Sequence, residues 1–316
     1  MTKIIILLYL LSFFSFANLN VNEMQNYETY HLQVIEAEQL IASENYSKAL
    51  QVYEQLFKEY HFVFLREYQV ATQLALYLGD MEKAKEYLKK GMLAGWELKS
   101  IKKNKSLSAL RSDVNWRSIK KEYPVLHNQY ESTLNQKIRG QVKKMYSKDQ
   151  SKAIKALFKF SSKSQDNYAE KKFAPHSEKQ IAEFSAILET YGYPGEQLIG
   201  NTTWMSTILS HHNSISTAYC EKDTLYPNLK PKLKDALQNG EISPQELAAI
   251  DDWYLSVKYD RTKPTYGILD PPSPSYLSKT NELRKKIYLR SVQLRDSLTD
   301  IQKETGMNFY LTDRWY

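Results

Sequence analysis

The sequence predicts an all-α protein made of two helical domains. Only ten glycines and ten prolines punctuate its 316 residues. Over long stretches apolar residues recur three and four positions apart, the period of an amphipathic helix, and strand-like alternation is hard to find. Between Tyr30 and Leu93 the helical pattern also repeats itself, which sets the front of the chain apart from the rest.

The first element is a leader. Lys3 precedes an unbroken apolar run, Ile4 to Leu11, and Ser15 and Ala17 stand at the minus-three and minus-one positions for cleavage after Ala17. This is the order of a secretory signal peptide over residues 1–17. The run is shorter than the roughly 20 apolar residues of a membrane span. No cysteine follows it to carry a lipid anchor, and no later window is apolar enough to cross a membrane. The expected location is therefore exported, periplasmic or extracellular. The single cysteine, Cys220, reads as a packed apolar residue. Removing Lys3 with the leader takes the net charge from +7 to +6 (7 − 1). The lysines are dispersed, densest at Lys99 to Lys105 and at Lys143 to Lys155. They read as solvated helix faces, and no nucleic-acid partner is expected.

The repeat follows. In AEQLIASENYSKALQVYEQLF, Ala37, Leu40, Tyr46, Ala49, Tyr53 and Leu56 fall at the small and large packing positions of a tetratricopeptide unit. In ATQLALYLGDMEKAKEYLKKG, Ala84 follows Ala49 by 35 residues (84 − 49), against a usual period of about 34. A small residue lets two antiparallel helices approach closely, and each helix pair leaves an apolar side that a neighbour must cover. The expectation is tetratricopeptide-like helix pairs in a domain over residues 25–123. The stretch SLSALRSDVNWRSIKKEYP caps them through Leu107, Leu110, Trp116 and Ile119, leaving a groove open for another molecule. Tyr46, Tyr53, Tyr68, Tyr77, Lys85 and Lys89 are the candidate lining residues, with packing between repeats as the competing role.

Residues 124–164 read as a connecting helix and linker, sparse in apolar side chains, with SSKSQDNYAEKK (161–172) as its most polar part. Pro175 and Ser177 open a helix with Ile181, Phe184, Ile187 and Leu188 on one face, closed by Gly192 and Pro194. Further on, Ser243, Pro244 and Glu246 mark a helix start as N-cap, first helical residue and capping-box partner. Asp251 and Asp252 lie in the middle of that helix, so at least one should face a partner or water, and Lys230, Lys232 and Lys234 stand nearby in sequence. LDPPSPSYL, after Gly267, reads as an ordered surface loop. A last helix from Lys279 to Lys303 carries Leu283, Ile287, Leu294 and Leu298 as its packing stripe, with Arg284, Arg290 and Arg295 making it basic. Residues 165–305 form the second domain and 306–316 a C-terminal tail.

The strings ILETYGYPGEQLIGNTTWMSTILSHHN, LKDALQNGEISPQELAAIDDWY and PTYGILD resemble an uncharacterised bacterial helical family, the domain of unknown function 6624. The matching elements are Gly192, Tyr193 and Pro194; Gly200; His212; Gly240, Glu241 and Ile242; Asp252; and Tyr266 with Gly267. They span about residues 140–305. Trp253 stands where the family usually has Arg after the Asp, so a role for such an Asp-Arg pair is in doubt here. The resemblance implies a helical fold and no particular reaction.

Little in the chain marks chemistry. His211 and His212 are adjacent, about 100° apart on a helix, and no histidine follows at the spacing of a zinc helix. No metal site and no cofactor are expected. There is no Gly-x-Ser-x-Gly turn at Ser210, Ser214 or Ser216, no phosphate-cradling glycine loop and no dinucleotide fingerprint. His212 either packs, hydrogen-bonded to Asp252 or Tyr266, or acts as a general base oriented by Asp251 or Asp252, with Tyr266 or Arg261 holding an anionic or carbonyl group. The preferred function is protein or ligand binding in the cell envelope, with another protein or peptide as partner. The alternative is a hydrolase built on His212, Asp252 and Tyr266.

Overall fold

The computed structural model describes residues 26–159 and 161–311, and among them there are helices and no strand. The leader, residues 1–17, lies outside the described residues. No helix among the described residues is long and apolar enough to cross a membrane.

Four helices come first among the described residues: α1 (Tyr27–Ala42), α2 (Tyr46–Glu59), α3 (Leu65–Tyr77) and α4 (Met81–Leu93). Their starts are written locally. Asn26 accepts the Glu28 N–H ahead of α1, and Asp80 accepts that of Lys83 ahead of α4. α1 packs on α2 and α3 on α4. Ala37, Ala49, Ala71, Ala75 and Ala84 are fully buried where the helices meet. Next come α5 (Leu98–Lys103), α6 (Ser108–Ser112) and α7 (Trp116–Thr133). They bring Leu107, Leu110 and Ile119 into the same core as the front helices.

Residues 124–164 are not a connector. Asn135 caps α8 (Gln136–Leu157), which sends Ile138, Val142 and Met145 into a second core. The low apolar content of this stretch means that one narrow stripe is buried, and the lysines cover the remaining faces. The polar stretch 161–172 is also helical, forming α9 (Ser162–Tyr168) and then a π-helical turn, Ala169–Phe173. That turn runs into α10 (Ala174–Tyr191), which ends at Gly192 with φ +81°.

The second core is completed by α11 (Glu196–Ile199), α12 (Trp204–Asn213), α14 (Leu225–Gln238) and α15 (Pro244–Lys258), and between α12 and α14 the short α13 (Thr217–Lys222) packs on α15. At α15, Ser243 Oγ accepts the Glu246 N–H at 3.2 Å as expected. The Glu246 carboxylate does not complete a capping box; it accepts the Tyr193 hydroxyl at 2.8 Å.

The expected final helix is two helices, α16 (Leu277–Lys285) and α17 (Val292–Thr305), separated by a turn in which Tyr288 has φ +56°. The three arginines read as a basic surface are buried: Arg284, Arg290 and Arg295 are 1%, 8% and 3% exposed. The guanidinium of Arg284 donates to the carbonyls of Tyr266, Gly267 and Arg290. The expected boundary at residue 305 is not where packing changes partner. α17 returns to the front helices, placing Leu298 and Ile301 in the first core, and Met307 and Phe309 follow them. Met307 and Phe309 of the expected tail are therefore core, covering the apolar side that the front helix pairs leave open, while Gly306 and Asn308 stay exposed.

Candidate functional site

A cleft of about 740 Å³ lies where the two units meet. Its front wall is His61 to Val63, Tyr68 of α3, and Lys90 and Leu93 of α4. The opposite wall is Tyr130 and Leu134 around the end of α7, the segment Tyr191 to Leu198, and Glu241. Tyr130 joins the walls. Its hydroxyl accepts the Asn201 N–H at 3.0 Å, while the Asn201 side-chain amide donates to the Ala94 carbonyl at 2.8 Å. Gly95 (φ +90°) and Gly200 (φ +87°) flank the Tyr130 ring so closely that a Cβ at either position would overlap its atoms.

Glu196 lies between the units. α3 has no side-chain cap of its own, and the Leu65 N–H at its start donates to Glu196 Oε1 at 2.5 Å. Burial pushes the Glu196 carboxyl up to about 8, against the pull of that N–H, and the neighbouring Glu67 and Glu246 raise it further. Burial also raises Glu67 and Glu246. Tyr193 is held by two carboxylates: its N–H donates to Glu241 at 2.7 Å and its hydroxyl to Glu246.

Of the expected lining residues, Tyr68 reaches this cleft, its ring 4.5 Å from that of Phe57. Tyr53 is fully buried in the first core. Tyr46 is buried edge-on against Tyr77, which is 53% exposed. Lys85 pairs with Glu82, and Lys89 with Glu122 of α7. The groove expected to stay open on the front helices is filled by α17 and residues 307–309. Sequence reasoning missed Glu196, Tyr130, Tyr191 and Glu241. The closely spaced Gly192, Gly195 and Gly200 were the signal, since they mark a chain folding tightly against something else.

The residues of the alternative reading do not form one site. Asp252 is fully buried and accepts three backbone N–H groups, from Tyr266 at 2.5 Å, Ile268 at 2.6 Å and Leu269 at 3.3 Å. Burial still pushes its carboxyl up to about 6 against those donors. Tyr266 therefore meets Asp252 through its main chain, and burial, with Asp251 adding to it, raises its phenol far above the ordinary value. Asp251 accepts the Tyr226 hydroxyl at 2.9 Å and Lys230 Nζ at 2.6 Å. Asp251 thus faces a partner, the expected Lys230, and neither aspartate is exposed to solvent.

His212 finds other partners. Nδ1 shares a hydrogen bond with Ser177 Oγ at 2.9 Å, and Nε2 lies 3.5 Å from Asp223 Oδ2, close enough for an ion pair and outside hydrogen-bond geometry. The order Ser-His-Asp invites a catalytic reading, but Ser177 and His212 have no exposed surface for a substrate to reach. Asp223 also accepts the N–H groups of Leu225 and Tyr226 at the start of α14. Burial would raise its carboxyl, yet His212 and these N–H groups together hold it below the usual range. The arrangement ties α10, α12 and α14 together. His211 points away and pairs with the buried Asp149 of α8 at 2.5 Å. Among the described residues no group of three His, Cys, Asp or Glu side chains could hold a metal ion. Cys220 is buried, and burial raises its thiol to about 11.

No protein-family model matches this chain, and no curated protein or solved structure matches it either.

Proposed function

We propose that this chain is an exported helical binding protein of the cell envelope, holding a protein segment or ligand in the cleft between its two helical units. No catalytic activity is assigned to it. The observation that supports the reading best is the cleft itself, about 740 Å³. Ligand pockets fall at roughly 300–1,000 Å³ and concentrate at such junctions. Tyr68 and Tyr191 offer large, stiff contact surfaces with polar tips. Lys90, Glu196 and Glu241 supply the few polar groups that orient a ligand.

Export rests on the signal-peptide reading of residues 1–17. Tetratricopeptide-like character for α1 to α4 rests on the repeated small and large positions, and such helix pairs commonly present surfaces to other proteins. The second unit carries the resemblance to the domain of unknown function 6624, which brings no reaction with it. The hydrolase alternative is not adopted, because Ser177, His212 and Asp252 have no exposed surface for a substrate to reach and the Asp252 oxygens accept backbone N–H groups.

The test is amide chemical-shift mapping on the full chain with peptides and small molecules recovered from an envelope extract. A ligand of this site shifts Lys90 to Ala94 and Tyr191 to Leu198 together, and Tyr191→Ala with Lys90→Ala removes the effect. Saturable binding that leaves both segments unmoved would count against the cleft.

A further inference from the structure

Residues 306–311 leave α17 through Gly306, which takes the left-handed conformation (φ +75°), and continue without helical structure. Met307 and Phe309, two positions apart, are 2% and 1% exposed in the first core. Between them the Asn308 main chain is held on both sides by one side chain. Its N–H donates to Gln73 Oε1 and its carbonyl accepts from Gln73 Nε2, each at 2.8 Å. Arg66 Nε donates to the Phe309 carbonyl at 3.0 Å, and Ser106 Oγ to that of Gly306 at 2.5 Å. Among the described residues, no backbone–backbone hydrogen bond reaches residues 307–311.

The receiving groups are held in place by contacts that do not involve this segment. Gln73 Nε2 also donates to the Gln69 carbonyl within α3 at 3.0 Å. Arg66 is fixed by Glu38 at 2.6 Å, and Glu38 in turn accepts two bonds from Arg290 at 2.7 Å. A double amide bond to one residue's main chain reads what every sequence presents. Burial of alternate side chains is the pattern of an extended stretch over residues 307–309, bounded by the left-handed Gly306 (φ +75°) and Tyr310 (φ +53°).

We propose that the Arg66 and Gln73 face of α3 is a binding site for an extended peptide with apolar residues at alternate positions, and that residues 306–311 are its resident, displaceable occupant. An incoming segment would bury its first and third side chains where Met307 and Phe309 sit and would take the Gln73 bonds through its central residue. The site is separate from the cleft, so either assignment can fail without the other.

The experiment uses a synthetic peptide of residues 306–311, GMNFYL, titrated by fluorescence anisotropy into the chain ending at Thr305. Saturable binding is expected, weakened about tenfold by Gln73→Met, which keeps the volume and removes both bonds. The intact chain should bind the peptide at least tenfold more weakly, because its own segment competes. A folded shortened chain that ignores the peptide, or an intact chain that binds it equally well, overturns the proposal. If the shortened chain does not fold, amide exchange in the intact chain decides. Exchange at Asn308 at least tenfold faster than at Leu74 in the centre of α3 shows the segment leaving while the core stays closed. Equal rates at the two amides overturn the idea of a displaceable occupant.

Discussion

The two units differ in where their buried polar groups find partners. In the second unit the partners are near in sequence: Asp251 meets Tyr226 across 25 positions, His212 meets Ser177 across 35, and Asp252 meets Ile268 across 16. In the front unit they are remote: Glu38 meets Arg290 across 252 positions, Gln73 meets Asn308 across 235, and His31 meets the Leu237 carbonyl across 206. The second unit satisfies these groups within itself, while its buried Arg290 and its Glu196 are held across the junction by Glu38 and the Leu65 N–H. The front unit is addressed to the rest of the chain, and its helix pairs are finished by residues joined to it only after the second unit has been made.

The largest effect expected from this contrast is on folding of the separated parts. A fragment of residues 134–290 should unfold cooperatively in urea, whereas residues 26–133 alone should show no cooperative transition. A cooperative front fragment would show that its helices close without α17. Next in size is Glu38→Gln. Burial alone would raise the Glu38 carboxyl, but Arg290 and Arg66 together outweigh it and hold the group below its usual range. Removing the charge leaves two guanidinium groups facing a neutral amide, with an expected loss of about 3–5 kcal/mol. Asp252→Asn in the second unit should cost less, about 1–3 kcal/mol, since an amide cannot accept all three N–H groups. A larger loss at Asp252 than at Glu38, measured by urea denaturation, would reverse the comparison.

The smallest effects are those of pH at the junction, and they have opposite signs. Burial lowers His31 from about 6.5 to about 4, against the Leu237 carbonyl. Its folded form resists protonation, so the stability linked to it is complete above pH 6.5 and is lost as pH falls toward 4. Glu196 is raised from 4.5 to about 8, so its contribution is complete below pH 4.5 and is lost as pH rises toward 8. His31→Gln should flatten the acid side of the stability profile, and Glu196→Gln the alkaline side while keeping an acceptor for Leu65. Unchanged limbs in the two variants would mean that these groups are hydrated in solution.

Much of the fold was legible in the sequence where the causes are local. Asn26, Asp80, Asn135, Ser243 and Ser291 each cap the helix that follows them. Gly192 ends a helix where its left-handed conformation is needed. The region after Val125 was misread because its buried apolar residues are few, Tyr130, Leu134, Ile138, Val142 and Met145 among many lysines. Arg284, Arg290 and Arg295 were read as surface because a charge is expected in water unless partners are visible, and theirs include backbone carbonyls, Glu38 and Asp296. Of the candidate lining residues, Tyr68 alone reached the cleft. A tyrosine at a helical packing position has the same sequence signature whether its hydroxyl is buried or faces a ligand.

The sequence by itself determined that this chain is helical, where helices with a local cap begin, and that the front pairs are too few to cover their own apolar side. Those properties depend on backbone torsions, caps and a short period of apolar residues, all contained within a turn or two of helix. Only the tertiary structure decided what covers that side, which carboxylates lie buried together at the junction, and where an opening remains. These depend on contacts between residues more than a hundred positions apart, and nothing in the local pattern at either end names the other.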